Sequence, residues 1–172
     1  MNEVINNIIT RRSIRFFINK KISREDLETI ASSAIYAPSA RDSQTWNFTV
    51  IQNRSAIIRL ASVVAVEIKQ DYYDFYSPDA LIIASNNRNS VFGALDCACA
   101  LENIFLTAHS LGIGSVWLNQ LYGLSDIPAV RSMLAEFGIP QDHVVCGVAA
   151  LGYADGVQAA PFKNKNNIRY IF

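Results

Sequence analysis

Residues 91–111 limit the folding of this chain more than any other segment. Apolar residues recur through the stretch without leaving a polar face, and Gly112 follows as a helix C-cap, which predicts one long helix. A helix that is apolar all round has to be covered on every side. In a small domain such a helix is either central or shared between two subunits, and we favour a subunit interface.

Composition excludes several function classes. The chain has 172 residues, 51% of them hydrophobic and 17% charged, and we expect a single domain over 1–172. Its longest apolar runs, such as 80–84, are far shorter than the ~20 residues that a membrane span needs. The net charge is zero, so no overall field attracts nucleic acid or a membrane surface.

The three cysteines form neither a CxxC motif nor a zinc-binding spacing. Cys97 and Cys99 fall in the long apolar helix, where we expect small core residues. The N-terminus carries no apolar signal sequence. Together these features predict a protein of the reducing cytoplasm.

Hydrophobic periodicity predicts an α+β domain built around one sheet. Helices are expected at 3–10, from the N-cap Ser23 to about Tyr36, at 55–69, at 91–111, and from Asp126 to Phe137 with Ser125 as N-cap. Strands are expected at 46–50, 80–85, 115–118 and 144–151, with an edge strand at 167–172. Residues 38–44 and 70–79 are expected to be loops.

Common catalytic signatures are missing from the sequence. It has no Walker loop, no HExxH and no GxSxG motif. Gly112 and Gly114 follow a helix, so they do not fit the strand–turn–helix dinucleotide fingerprint. The two histidines, His109 and His143, favour ordinary structural roles over a triad or a metal centre. We therefore expect no catalytic side chain and no metal ligand.

Basic residues collect at both ends of the chain. Arg11, Arg12, Ser13 and Arg15 could hold a phosphate through charge-assisted hydrogen bonds. A basic cluster at a helix end can also simply complement the helix dipole. The stretch after Asp155 has lysines and an arginine but no acidic residue, so two basic ends could converge on one small anion.

A second polar segment, PSARDSQTWNF at 38–48, closes onto an aromatic strand. Such a loop can present backbone and amide groups to the edge of a planar heterocycle. The alternative is a plain helix-to-strand connection with Trp46 and Phe48 in the core.

The order of these motifs resembles the nitroreductase family of FMN enzymes. RRSIRFF at 11–17, a capped helix and PSARDSQTWNF match the family's opening, and Asp96 followed by LGIGS at 111–115 matches its middle. The resemblance implies a nitroreductase-like α+β fold, with a central mixed, mostly antiparallel sheet flanked by helices and a homodimer with a shared interface. Asp42 and Thr45 depart from the family's usual Asn and Pro.

The resemblance also implies which residues bind FMN. Arg11, Arg12, Ser13 and Arg15 would hold the phosphate and ribityl chain or the pyrimidine edge, with Lys163 and Lys165 completing the phosphate site. Pro38, Ser39 and Ala40 would line the flavin bound mainly by the partner subunit, and Gln44 would face the cofactor. Leu118, Asn119 and Gln120 would lie near the isoalloxazine ring.

The activity implied is hydride transfer from NADH or NADPH through the flavin to an electron-poor small molecule, such as a nitroaromatic or a quinone, with ping-pong kinetics. Flavin N5 rather than a side chain carries this chemistry. Two alternatives stay open: a non-catalytic flavin-binding sensor or carrier, and another flavin reaction on the same scaffold, such as reductive dehalogenation or flavin fragmentation.

Overall fold

The computed structural model describes residues 2–172 of the chain, except for the side chain of Lys165. Its helices are α1 (Glu3–Thr10), α2 (Arg24–Ser33), α3 (Arg54–Glu67), α4 (Gly93–Ser110) and α5 (Pro128–Glu136). Its strands are β1 (Trp46–Ile51), β2 (Ala80–Asn87), β3 (Gly114–Leu118) and β4 (His143–Gly152). Short 3-10 turns occur at Ala34–Tyr36, Ala40–Asp42 and Lys165–Asn167.

The four strands form one sheet in the order β1-β2-β4-β3, and every neighbouring pair is antiparallel. The two central strands are almost continuously apolar because helices cover both of their faces. One parallel bridge, between Ser13 and Ser115, adds the N-terminal segment beside β3. The predicted α+β class is confirmed.

Successive residues of β2 enter two separate cores, as the two-residue repeat of a strand requires. Ile82 and Ala84 pack with buried residues of α2 and α4 on one face. Leu81 and Ile83 pack with buried residues of α3 and α5 on the other face. The sheet is therefore the middle of three layers.

The ends of two helices follow the predicted chemistry. The hydroxyl of Ser23 accepts a hydrogen bond from the N–H of Asp26 at 3.0 Å, which caps α2. Gly112 has a φ of +72° just after α4, where a left-handed residue ends the helix and favours glycine.

The N-terminal segment, residues 11–18, is tied along the edge of the sheet. Ile14 N–H donates to the Ser115 carbonyl and Ile18 N–H donates to the Tyr153 carbonyl, both at 2.9 Å. Gly114 and Gly152, which pair across β3 and β4, leave room for this segment. A Cβ at position 114 would lie 2.9 Å from Ile14, and one at position 152 would lie 2.7 Å from Phe17.

The predicted N-cap at Ser125 is wrong. The Ser125 hydroxyl is buried and accepts a hydrogen bond from the N–H of Val145 at 2.8 Å. Helix α5 begins instead at Pro128, after Ile127, without a side-chain cap. Proline is well suited to this first position because its fixed φ is helical and the missing N–H has no partner there.

The predicted edge strand at 167–172 is also wrong. Residues Lys165–Asn167 form a 3-10 turn, and in residues 2–172 no strand pairing includes the final residues. A strand requires an open edge to pair with, and the N-terminal segment already occupies part of the outer edge of β3. The aromatic side chains of Tyr170 and Phe172 stack on each other in solvent instead.

Helix α4 is not covered on every side within one chain. The face that carries Cys97, Leu101 and Ile104 is buried, whereas Leu95 is 65% exposed. Cys99 is exposed as well, which contradicts its predicted place in the core. Among the helices of the described chain, none is long and apolar enough to cross a membrane.

Candidate functional site

The structure brings the two basic ends of the chain together around one cavity of about 320 Å³. Among the described residues, four of the lining side chains are cationic and none carries a carboxylate. The lining residues are Arg11, Arg12, Ser13, Arg15, Gln158, Ala159, Pro161 and Lys163. The cavity therefore offers concentrated positive charge next to a free hydroxyl.

Each guanidinium of this cavity is oriented by a different neighbour. Arg11 lies over the ring of Phe105 at 5.8 Å, and its Nε is 3.7 Å from a carboxylate oxygen of Glu102. Arg12 donates from Nη1 to its neighbours' carbonyl oxygens, at 2.8 Å to Ile9 and 2.7 Å to Arg11. These contacts limit the freedom of both side chains before any ligand arrives.

Arg15 lies 6.0 Å from the ring centroid of Tyr76. Tyr76 belongs to a run of three left-handed residues, Phe75, Tyr76 and Ser77, with φ of 55°, 68° and 50°. Fully buried Phe75 anchors the turn. No sequence pattern identifies Tyr76 or Phe105 as part of the site, because both contact the arginines only through tertiary packing.

His109 lies beside the basic cavity without adding charge to it. Its Nε2 is 2.9 Å from the hydroxyl of Thr10. Burial lowers the pKa of His109, and the neighbouring positive charges of Arg11 and Arg12 lower it further. The imidazole is therefore neutral at pH 7, and the positive potential comes from the arginines and Lys163.

Lys163 lines the cavity, as the resemblance implies. Lys165 begins the 3-10 turn Lys165–Asn167, but its side chain lies outside the described part of the structure. A role for Lys165 at the phosphate therefore stays a prediction. The remaining neutral group, Gln158, was not foreseen, since a lone glutamine in a tail carries no pattern.

The loop at 38–44 is the second predicted part of the site. Pro38 and Gln44 are exposed, and Ser39 and Ala40 are half-buried. The N–H of Ala40 donates to Oδ1 of Asp96 at 3.0 Å, and the Gln44 amide donates to Oδ1 of Asp42 at 2.7 Å. The side chain of Gln44 is thus directed to its neighbour Asp42 within the chain.

The loop and the basic cavity lie at opposite corners of the sheet. The loop leads into Trp46, which pairs with Asn86 at one end of the edge strand β1. Ser13 bridges to Ser115 at the other end of the opposite edge strand, β3. Three strand spacings of about 4.8 Å separate the two edges. Within one chain the two parts therefore do not form a single pocket.

Leu118 is the last residue of β3, which runs from the cavity towards the loop end of the sheet, and Asn119 and Gln120 follow it. Leu118 is 2% exposed and packs into the core, so its side chain is not available to a ligand. The N–H of Asn119 donates to the side-chain oxygen of Gln120 at 3.1 Å. Leu118 lies about 10 Å along the strand from Ser115, at 3.3 Å per residue.

Comparison with known proteins gives a consistent result. The nitroreductase family model matches residues 8–75 and 72–153. A protein of Archaeoglobus fulgidus, provisionally named NADH dehydrogenase/NAD(P)H nitroreductase, is 35% identical over 89% of this chain and 86% of its own length. The NADPH-flavin oxidoreductase of Vibrio harveyi is 27% identical over 90% of this chain and 67% of its own length. The crystal structure of a Bacteroides fragilis nitroreductase with bound FMN is 34% identical, with a TM-score of 0.92 over 100% of both chains. The chain belongs to the nitroreductase family.

Proposed function

We propose that the chain is a single FMN-binding domain that acts as an FMN-dependent oxidoreductase, with NADH or NADPH as the reductant. The observation that carries the proposal is the cavity in which Arg11, Arg12, Arg15 and Lys163 meet without a carboxylate. The Bacteroides fragilis relative contains FMN, and the Vibrio harveyi relative is named for NADPH and flavin. Both names support a flavin as the cofactor of this chain.

The cavity fits the terminal phosphate of FMN. A phosphate monoester carries close to two negative charges at pH 7 and accepts several hydrogen bonds, which guanidinium groups donate in pairs. The Ser13 hydroxyl is exposed beside them. The N-terminal segment is already hydrogen-bonded to the sheet before a ligand binds. Binding therefore costs little conformational entropy in this segment.

When bound, FMN would accept a hydride from the nicotinamide and pass the electrons to an electron-poor acceptor such as a nitroaromatic or a quinone. The chain's own residues bind and orient the cofactor. Arg15 places positive charge at the site, which stabilises an anionic ligand. No side-chain nucleophile or base would be required. The two substrates would occupy the same site in turn, for which we expect ping-pong kinetics.

The diagonal placement of loop and cavity favours a homodimer with two shared sites. A second copy related by a twofold axis would bring its residues 38–44 to this chain's cavity and receive the same in return. Apolar surface is available for such an interface: α1 has no buried residue, and Val4, Ile5, Ile8 and Ile9 are all at least half exposed. Helix α4, on which α1 packs, leaves Leu95 exposed.

The purified protein tests the proposal directly. We expect a yellow protein from which heat releases FMN, not FAD, since the cavity is built for one terminal phosphate. Reduction of the bound flavin by NADH or NADPH, followed without oxygen, separates an enzyme from a sensor or carrier that would react slowly. Substrate profiling separates nitro or quinone reduction from dehalogenation. A colourless protein that ignores added FMN would overturn the proposal.

A further inference from the structure

Asp96 is an unusual buried acid in the first turn of α4. It is 5% exposed, and its Oδ1 accepts the hydrogen bond from the N–H of Ala40 at 3.0 Å. Its other oxygen, Oδ2, is buried and has no hydrogen-bond partner among the described residues. A carboxylate held in this way costs free energy, so its presence needs an explanation other than stability.

The loop that Asp96 contacts is conformationally strained. Arg41, Asp42 and Gln44 have φ of 58°, 55° and 46°, in the left-handed region that non-glycine residues disfavour. Strain of this kind persists only where surrounding contacts hold it, and it concentrates at ligand-binding segments.

The hydrogen bonds of this loop are otherwise internal. Asp42 N–H donates to the Ser39 carbonyl at 3.0 Å, and Gln44 N–H donates to the Ser39 hydroxyl at 3.2 Å. For residues 39–44, the bond from Ala40 to Asp96 is the one hydrogen bond in the described chain that reaches another element. Helix α4 therefore fixes the position of the loop through a single side chain.

We infer that Asp96 is a positioning residue that acts across the dimer: through Ala40 it fixes the loop that contacts the FMN held by the partner subunit's basic cavity. The inference rests on the proposed function. Arg15 serves the flavin in its own chain, whereas Asp96 serves the flavin of the other chain. The two residues therefore belong to different sites of the same dimer, and this division of roles can be tested.

The first test compares two variants of Asp96, the residue that accepts the hydrogen bond from Ala40. Asp96→Ala should raise the Kd for FMN about 5- to 100-fold, because the loop loses its charge-assisted anchor. Asp96→Asn keeps an oxygen that can accept from Ala40, so it should restore the Kd to within about threefold of wild type. Fluorescence titration of the apoprotein with FMN gives each Kd.

Asp79 provides a matched control. Its carboxylate also accepts a backbone hydrogen bond across the fold, from Ile22 N–H at 2.8 Å, and another from Gln52 at 2.8 Å. Asp79→Ala should lower the melting temperature of the apoprotein while leaving the Kd for FMN unchanged. A parallel rise in Kd for both variants would mean that Asp96 acts only through general stability, and this would overturn the inference.

The decisive test mixes two defective chains. In a hybrid of Asp96→Ala with Arg15→Ala, one site has both defects and the other has an intact cavity facing an intact loop. Random exchange of subunits should then restore roughly a quarter of the wild-type activity, because half of the dimers are hybrids and each has one intact site. The assay uses FMN that saturates wild type but not the single variants, with NADH and a quinone as substrates.

Ala40→Pro removes the same hydrogen bond from the donor side, because proline has no N–H. Ser39 already has the extended backbone that precedes proline, with φ of −126° and ψ of 146°. If Asp96→Ala yields no folded protein, the Ala40→Pro chain takes its place in the mixture. Mixtures that recover no activity would overturn the inference, whereas a wild-type protein that fails to bind FMN would refute the proposed function instead.

Discussion

Asp42 occupies a position where the family resemblance leads one to expect asparagine, and the structure shows how the chain accommodates the charge. The Gln44 amide donates to its carboxylate at 2.7 Å, and both residues are exposed on the strained loop. If this loop faces the flavin, as we propose, a negative charge on it would disfavour the anionic reduced form.

Asp42→Asn should therefore raise the midpoint potential of the bound flavin. For an exposed charge the expected change is on the order of 10–30 mV in a two-electron couple. Anaerobic reductive titration against a reference dye measures the change, and Asp71→Asn, an exposed residue of the loop at 70–79, is the control that should leave the potential unchanged. An unchanged or lower potential in Asp42→Asn would place the loop away from the flavin.

Arg15→Ala should weaken FMN binding by roughly one to two decades, the value of a lost charge-assisted hydrogen bond of about 1.5–3 kcal/mol. Arg24→Ala is the matched control, since Arg24 pairs with Glu28 on the surface of α2. FMN titrations measure the Kd of both variants, and only that of Arg15→Ala should rise. Equal affinities in wild type and Arg15→Ala would remove Arg15 from the site.

The two histidines predict how stability depends on pH. Burial is the main cause that lowers the pKa of both His109 and His143 from the ordinary value of 6.5. Well above pH 6.5 both are neutral whether the chain is folded or unfolded. As the pH falls below 6.5, the unfolded chain takes up protons first, so the free energy of unfolding falls.

Thermal melts from about pH 7.5 down to about pH 5, the range in which histidine is the main titrating side chain, should show a falling melting temperature. His109→Gln and His143→Gln should each flatten part of this dependence. A melting temperature that rises on acidification would contradict the lowered pKa values.

At the scale of elements, the N-terminal segment can pack against the sheet only because positions 114 and 152 are glycines and have no Cβ atom. Gly152→Ala would place a methyl group 2.7 Å from the ring of Phe17 and 3.1 Å from its Cβ, so the segment has to move. We expect a loss of about 1–3 kcal/mol in the free energy of unfolding. FMN affinity should fall as well, because the same segment carries the arginines.

A double-mutant cycle checks the cause of this effect. Phe17→Ala removes Cγ and Cδ1, which lie 2.9 and 2.7 Å from the added methyl group, so this substitution should cost less stability in the Gly152→Ala background than in the wild type. Denaturant unfolding gives the stabilities. If the two substitutions are additive, the overlap with Phe17 is not what destabilises Gly152→Ala.

Most helices and strands were predictable because they follow local patterns. The Ser23 cap, the Gly112 stop and the apolar runs of β2 and β4 are each visible within a few residues. Ser125 was misassigned because its hydroxyl serves a strand distant in sequence, at Val145. Residues 167–172 have a strand-like sequence, but a strand also needs a free sheet edge to pair with. The local sequence contains no information on whether such an edge is free.

The candidate site was predictable to a similar extent and for the same reason. The arginine motif and the loop at 38–44 are contiguous in sequence. Asp96 was visible only as part of a motif, and its hydrogen bond to Ala40 spans 56 positions. The aromatic neighbours of Arg11 and Arg15 lie far away in sequence and were missed entirely.

At the scale of the whole molecule, the apolar surface left on α1 and α4 predicts an obligate dimer of about twice 19.1 kDa. Stable interfaces of this type commonly bury more than about 2,000 Å² in total. Because FMN would contact both chains, removing it should lower the melting temperature. Light scattering and melts with and without FMN provide the test, and a stable monomer that holds flavin tightly would refute shared sites.

The diagonal placement of loop and cavity has a consequence for the supply of working protein. If two chains must meet before either site is complete, flavin loading depends on protein concentration as well as on flavin concentration. A cell that makes little of this protein would then hold mostly empty chains at the same flavin level. Doubling synthesis would increase the loaded amount more than twofold, until nearly every chain has found a partner.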